Sequence, residues 1–132
     1  MKKVFGIRGA CCAENTAESI TNETVALCRR IFFENALSPE DIVSIQFTLT
    51  RDLDEMNPCS ALRKNDVGLD TSRIPLFCAQ EAYIKGGLEK VIRILITAYL
   101  DEGKTPKNCY IDGAEVLRPD FSRDSTDSSV DV

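Results

Sequence analysis

Three arginines lie in apolar or glycine-containing segments of this 132-residue chain: Arg8 in FGIRG, Arg93 in VIRIL and Arg118 in VLRP. Burying a guanidinium costs free energy unless an anion pairs with it. The ordinary explanation is an internal carboxylate, or a side chain that extends to the surface. Arginine also binds carboxylates through two parallel hydrogen bonds, so three arginines that converge on one cleft would bind a small polyanion.

Other polar side chains offer fewer chemical roles. Glu81 follows a short apolar segment and is either a hydrogen-bond acceptor for a ligand hydroxyl or a solvated surface acid. Cys78 could act as a nucleophile, but the chain has no histidine to activate it, so we expect a buried or hydrogen-bonding thiol. Tyr110 is expected to be a half-buried aromatic residue of a strand.

The composition excludes several classes of function. With no histidine and no C-x-x-C motif, structural zinc sites with Cys/His spacing and histidine-based catalytic triads are excluded. The six cysteines are expected to be reduced thiols, since most have apolar neighbours and no secretion signal is recognised. A net charge of −5 argues against nucleic acid as a partner.

Nothing in the sequence indicates a membrane. Apolar runs stay well below the ~20 residues that cross a bilayer, and the start of the chain lacks the ~7–15-residue apolar stretch of a signal peptide. We therefore expect no membrane partner and a cytoplasmic location.

Two helices are expected. The first is capped by Asn15, with Glu18 three residues on, and ends near Asn35. It has one buried stripe at helical spacing, formed by Ile20, Thr24, Leu27, Cys28 and Ile31. The second opens at Asn57-Pro58 and runs through about Lys64, and Ser38-Pro39 predicts a single helical turn.

Five strands are expected between and after these helices. The first is expected to end at a turn formed by Gly9 and Ala10. In the second, Val43, Ile45, Phe47 and Leu49 share one parity. The fourth is apolar on both parities, as is typical of a central buried strand. We predict strands at 4–8, 42–50, 74–78, 91–100 and 110–111, an extended segment at 116–119 before Pro119, and a mobile polar tail at 122–132.

These elements predict one α+β (mixed α/β) domain over residues 1–121, with a five-stranded mixed sheet and two main helices on one face. Too few helices remain to cover the other face of the sheet. Burial against identical subunits is the simplest solution, since symmetric oligomers are common.

Four motifs resemble the monofunctional AroH-type chorismate mutases. They are GIRGA at 6–10, C-x-QE at 78–81, GGL at 86–88 followed by Ile92-Arg93, and VLRPD at 116–120. Each motif is weak separately, but all four occur in the family's order and separations. The resemblance extends from about residue 3 to 121.

This resemblance implies a homotrimer, a trimeric pseudo-α/β-barrel with active sites at the subunit interfaces. It also implies the conversion of chorismate to prephenate in phenylalanine and tyrosine biosynthesis. That reaction is a pericyclic rearrangement with no covalent intermediate, no cofactor and no metal, so the missing histidine is no obstacle.

The resemblance also implies roles for particular residues. Arg93 matches the arginine beside the ether oxygen of the substrate, and Arg8 matches a residue that contacts a substrate carboxylate. Glu81 and Cys78 match the pair near the ring hydroxyl, and Tyr110 matches a carboxylate-binding phenol. The remaining substrate-binding positions that it implies are Cys59, Ser60, Arg63, Leu76, Phe77, Leu117 and Arg118.

Some positions depart from the family pattern. Asn57 and Ser60 replace an aromatic residue and a lysine, and Phe77 replaces a small polar residue that can contact the substrate. These changes leave two alternatives open: a trimer that binds an aromatic-pathway metabolite or a partner without catalysis, and an imine-hydrolysing trimer of similar shape. The specific motifs do not support the second.

Overall fold

The computed structural model describes residues 1–122, which form a five-stranded sheet in the order β3-β2-β4-β1-β5. The sheet is mixed, because β4 is antiparallel to β1 and β2, whereas β3 and β5 run parallel to their neighbours. This confirms the predicted fold class. In chain order the elements are β1 (Lys3–Cys12), α1 (Ala17–Glu34), a 3-10 turn (Pro39–Asp41), β2 (Ile42–Leu49), α2 (Pro58–Lys64), β3 (Leu76–Gln80), β4 (Val91–Leu100), β5 (Cys109–Tyr110), a second 3-10 turn (Ala114–Leu117) and α3 (Pro119–Ser122).

The two main helices pack against one face of the sheet. All five residues of the predicted α1 stripe are buried, and Ile7, Ile45 and Ile96 meet them from neighbouring strands. In residues 1–122, no helix is both long enough and apolar enough to cross a bilayer. The mobile tail predicted from Ser122 onward lies, apart from that residue, outside the described part of the chain.

The helix termini follow the predicted signals with one correction. Thr16, rather than Asn15, caps α1, with its hydroxyl accepting a hydrogen bond from the Ser19 backbone N–H. Asn15 instead accepts hydrogen bonds from the backbone N–H groups of Asp54 and Glu55. Its side chain therefore holds the loop after β2 rather than the helix.

The prediction that β1 ends at Gly9 is wrong. The strand continues to Cys12, paired with β4 throughout. A Cβ at Gly9 would lie 2.8 Å from the Cys109 carbonyl oxygen and 2.8 Å from Ile31 Cδ1. The glycine thus permits close packing between β1, β5 and α1, and does not form a turn.

Three further boundaries differ from the predictions. A register shift between Ile42 and Ser44 displaces Val43 from the buried parity, leaving it 45% exposed. The third strand begins at Leu76, because the Ile74 N–H closes a turn onto the Thr71 carbonyl. Segment 116–119 contains a 3-10 turn and the start of α3, so it is not the predicted extended segment, and Arg118, before Pro119, has φ −142° and ψ 73°.

The face of the sheet opposite the helices is only partly covered. At one end, Ala10, Val91, Tyr110 and Ala114 form a small second core beneath the 3-10 turn at Ala114–Leu117. The rest of this face, called here the open face, exposes large apolar side chains: Val4 (54%), Phe77 (62%), Leu95 (41%) and Tyr99 (44%). The fourth strand is central as predicted, but apart from Val91 its side chains on the open face are half-buried or exposed.

A carboxyl pair joins α1 to the loop after β5. The pKa of Glu23 is raised from 4.5 to about 7, first by burial and then by its hydrogen bond to Asp112. A carboxyl whose pKa is higher in the folded state loses stabilising free energy as pH rises from the unfolded to the folded pKa. The loop held by this pair leads to Leu117 and Arg118.

We expect Glu23→Gln to remove this pH dependence. Near pH 4.5 the variant should be close to the parent chain in stability, because the Glu23 carboxyl of the folded chain is protonated there and, like Gln, uncharged. Above pH 7 it should be more stable by about 1 kcal/mol, a modest figure because Glu23 is partly exposed and solvent screens the effect. Urea unfolding at pH 4.5, 6 and 8 measures the difference, with the exposed Glu55→Gln as control. A constant difference across this range would contradict the prediction.

Candidate active site

The site begins at Arg93, in the middle of the sheet. Its backbone is paired with Ala10 of β1 and Thr48 of β2, and this parity of β4 belongs to the open face. Its Nε lies 2.6 Å from Glu81 Oε1, which also accepts a 2.8 Å hydrogen bond from the Thr48 hydroxyl. An ion pair from β4 and a hydrogen bond from β2 therefore hold the Glu81 carboxylate.

The Arg93 guanidinium keeps binding capacity beyond this pair. Only Nε contacts Glu81, and both Nη groups lack a hydrogen bond to any residue in 1–122. The Arg93 side chain is 39% exposed. Since guanidinium donors lie in one plane, the Nη groups can bind an anion while Nε stays on Glu81.

Tyr110 lies near all three predicted arginines. Burial raises the pKa of its phenol above 10.0, whereas Arg93, Arg118 and Arg8 act in the opposite direction through their positive charges. All three predicted arginines are therefore close enough to act on one phenol, which stays neutral at physiological pH and can donate a hydrogen bond.

The ordinary explanation for buried arginines holds for two of the three. Arg118 forms a bidentate pair with Asp120, with Nε–Oδ1 at 3.1 Å and Nη2–Oδ2 at 2.6 Å, and Arg93 pairs with Glu81. Arg8 has an exposed side chain and forms no ion pair within residues 1–122, although its backbone N–H donates to Asn108 Oδ1 at 2.8 Å. One positive charge of the cluster is thus not neutralised.

These side chains border a cleft of about 440 Å³ on the open face, called here the arginine cavity. Leu117 forms part of its wall. The lining residues are Arg8, Gly9, Gln46, Thr48, Arg93, Ile94, Leu95, Tyr110, Leu117 and Arg118. A small cleft with several guanidinium groups, one phenol and apolar walls suits a compact organic polyanion.

The other predicted residues form a separate group on the helix side of the sheet. Leu76 and Cys78 share the parity of Ile45 and Phe47 and pack against the main core. Within one chain, Cys78 therefore does not join Arg93, and its predicted role stays a prediction. The group on α2 and β3 comprises Cys59, Ser60, Arg63, Leu76 and Cys78.

The thiols of this second group are protonated at neutral pH. Burial, together with the nearby Cys59, raises the pKa of Cys78 to about 11. Burial also raises the pKa of Cys59, although Arg63 acts in the opposite direction. Protonated thiols are poor nucleophiles, which agrees with the expectation that Cys78 is not one. Arg63 is exposed, and its Nη2 donates a hydrogen bond to Ser60 Oγ at 3.5 Å.

Phe77 is on the same strand as Leu76 and Cys78, but its side chain is on the other face of the sheet. Its neighbour in register is Gln46, so its side chain belongs to the open face, where it is 62% exposed. A large apolar residue here faces the same side as the arginine cavity, where a small polar residue is usual in the family that the motifs resemble.

Sequence reasoning missed two polar residues of the cavity, Thr48 and Gln46. A signal for them was present: they alternate with Ile45 and Phe47 along β2, which places them together on the other face of the sheet. Their importance depends on the register with Arg93, which strand periodicity does not supply.

Comparison with known proteins gives consistent results. The family model described as chorismate mutase type I matches residues 4–121. Chorismate mutase AroH from Bacillus subtilis (strain 168) is 36% identical over 121 residues, covering 90% of this chain and 93% of the relative. Chorismate mutase AroH from Thermus thermophilus is 35% identical over 121 residues, covering 89% and 96%.

A solved structure agrees with these relatives. The chorismate mutase from Clostridium thermocellum Cth-682 superposes with a TM-score of 0.75 at 37% identity, covering 86% of this chain and 99% of that one. The sheet, the arginine cluster and the family match therefore agree over nearly the whole described chain. This chain belongs to the chorismate mutase type I family.

Proposed function

We propose that this chain converts chorismate to prephenate at a site to which two subunits of a homotrimer contribute. The observation that supports this most directly is the cluster of Arg93, Glu81, Tyr110 and Arg8 on the open face, in a chain whose relatives are named as chorismate mutases. Those names do not favour the non-catalytic alternative.

Arg93 is the residue to which we assign most of the catalysis. In the rearrangement the carbon–oxygen bond of the enolpyruvyl ether breaks while a carbon–carbon bond forms, and the electrons move in one ring without a proton transfer. Negative charge develops on the ether oxygen. The Nη groups of Arg93 donate to that oxygen, and this interaction is stronger in the transition state than in bound chorismate.

The surrounding residues hold the substrate in its reactive conformer. Arg8 and the neutral Tyr110 bind carboxylate oxygens, Arg118 and Leu117 close the cavity, and Glu81 accepts a hydrogen bond from the ring hydroxyl. Ordering the flexible enolpyruvyl arm before the barrier is reached removes an entropy cost from the chemical step.

The remaining predicted residues reach the substrate from a neighbouring subunit. Cys59, Ser60, Arg63, Leu76 and Cys78 lie on the opposite side of the sheet from the arginine cavity of their own chain. A trimer in which the second group of one subunit faces the arginine cavity of the next would complete each site. It would also bury the apolar residues of the open face.

We also propose a cytoplasmic location. All six cysteines are unpaired, and Cys11, Cys28, Cys59 and Cys109 are buried. Reduced, buried thiols are typical of a reducing compartment.

The direct test is an assay with purified protein and chorismate. Loss of chorismate is followed by its ultraviolet absorbance, and prephenate is identified as the product. A rate no higher than that in buffer would disprove the proposed activity. Formation of any product other than prephenate would do the same.

The proposed trimer is tested by introducing a charged side chain on the open face. We expect Leu95→Glu to dissociate the assembly, because a carboxylate buried against another subunit costs several kcal/mol. Sedimentation should give three times the 14.6 kDa chain mass for the parent protein and a smaller species for the variant. Phe33→Glu, on the exposed surface of α1, is the matched control and should remain trimeric. A Leu95→Glu variant that stays trimeric would place the interface elsewhere.

A further inference from the structure

A second cavity adjoins the arginine cavity and contains an arginine with no assigned role. It has a volume of about 270 Å³ and shares Arg93 and Leu117 with the arginine cavity. Its other walls include Arg51, Glu81 and Tyr83. Arg93 therefore borders two adjoining cavities, one lined by Arg8 and the other by Arg51.

Arg51 is held in a defined position. Its guanidinium carbon lies 3.6 Å from the centroid of the Tyr83 ring, a cation–π contact. The backbone on both sides is fixed to the start of β4. The Thr50 N–H donates to the Val91 carbonyl at 3.0 Å, and the Asp52 carboxylate accepts from the Lys90 N–H at 3.0 Å.

The acids of this cavity are largely engaged elsewhere. Asp52 accepts backbone hydrogen bonds, and Glu81 is bound by Arg93 and Thr48. Glu89 also lines the cavity, beside Lys90. The Glu89 side chain is exposed, so solvent screens its charge.

Arg51 differs from Arg93 and Arg118 in having no carboxylate partner among residues 1–122. Among residues 1–122, Arg93 and Arg118 have carboxylate partners, whereas Arg8 and Arg51 have no ion pair. These two guanidinium groups line adjoining cavities that share Arg93 and Leu117. A dianion binds most strongly to cations that no carboxylate of the chain already neutralises, and this chain offers one in each cavity.

We propose that Arg51 is a further substrate-binding residue, with its guanidinium held by Tyr83 and contacting one of the two carboxylates of chorismate. This inference rests on the proposed function. It supplies a cation that the second group lacks, since Ser60 stands where the family that the motifs resemble has a lysine. The role of Tyr83 is positional: its ring orders the guanidinium before substrate binds.

The test measures KM and kcat separately. We expect Arg51→Gln to raise KM for chorismate by about tenfold with kcat changed less than about twofold, because a carboxylate contact is present in both bound and transition states. Arg51→Lys should restore part of the affinity. Tyr83→Phe should resemble the parent protein, whereas Tyr83→Ala should raise KM by about two- to fivefold. Arg29→Gln, on α1 and paired with Asp66, is the control.

Inhibition by prephenate, also a dicarboxylate, provides a second measurement, and its inhibition constant should rise in Arg51→Gln as KM does. An unchanged KM and inhibition constant in Arg51→Gln, beside an active parent protein, would overturn this inference. So would a fall in kcat at constant KM, which would indicate a structural role. An inactive parent protein would instead overturn the proposed function, so the two failures are distinguishable.

Discussion

Arg93→Ala is expected to lower kcat for chorismate by about a hundred- to a thousandfold, the effect of removing one donor from a developing oxyanion. The Nη groups of Arg93 make no hydrogen bond to a residue in 1–122, and its Nε is fixed 2.6 Å from Glu81. The guanidinium is thus oriented before substrate binds, and little reorganisation is needed during the reaction.

Replacing Arg93 with citrulline separates the effect of its positive charge on catalysis from the effect of its shape. The side chain keeps its planar form, its Nε–H and one NH2 group, but the other Nη group becomes a carbonyl oxygen and the positive charge is lost. KM should change little while kcat falls nearly as far as in Arg93→Ala, because charge is required chiefly in the transition state. Arg30→Ala, which removes an arginine paired with Glu34 on α1, is the control and should retain full kcat. A kcat unaffected by either change would exclude Arg93 from the chemical step.

Stability is measured alongside, because Arg93→Ala leaves Glu81 with only the Thr48 hydroxyl as a side-chain partner. An unpaired, partly buried carboxylate destabilises a protein. The melting temperature of Arg93→Ala is therefore measured in the buffer used for the assay. If kcat falls while that melting temperature stays well above the assay temperature, the loss arises from the missing cation and not from partial unfolding.

Periodicity predicted those parts of the fold that depend on local patterning. The stripe from Ile20 to Ile31 and the run from Val91 to Leu100 are strongly patterned, and both elements form as expected. At Gly9 the same reasoning failed. A glycine within a strand is compatible with a turn or with close packing, and only the positions of Cys109 and Ile31 decide between them.

The site was predictable as a set of residue types but not as an arrangement. Arg8, Arg93 and Arg118 were recognised because guanidinium groups in apolar segments need an anion. That Arg93 would contact Glu81, and that Cys78 would lie on the other face, depends on strand register. A shift of one residue in β3 would exchange Cys78 and Phe77 between the two faces. Arg51 was missed because its segment is polar, as an ordinary surface loop would be.

Arg63→Glu is expected to lower kcat/KM for chorismate by about a hundredfold, because it brings a negative charge to a site that binds a dianion. Within its own chain Arg63 lies on α2, on the helix side of the sheet, away from the arginine cavity. A large effect of Arg63→Glu would therefore mean that Arg63 acts on the site of a neighbouring subunit. Lys64→Glu changes the adjacent exposed residue by the same charge and is the control, for which we expect less than a threefold effect.

Mixing the two inactive variants distinguishes a shared site from one contained in a single chain. Each shared site takes Arg93 from one subunit and Arg63 from the next. In randomly reassembled equal mixtures of Arg93→Ala and Arg63→Glu, about a quarter of the sites would contain both native residues, so about a quarter of the parent activity should return. A site within one chain cannot recover by mixing, because every chain lacks one of the two residues. Activity that stays at the average of the separate variants would therefore refute the shared site, whereas recovery that disappears on dilution to monomers would support it.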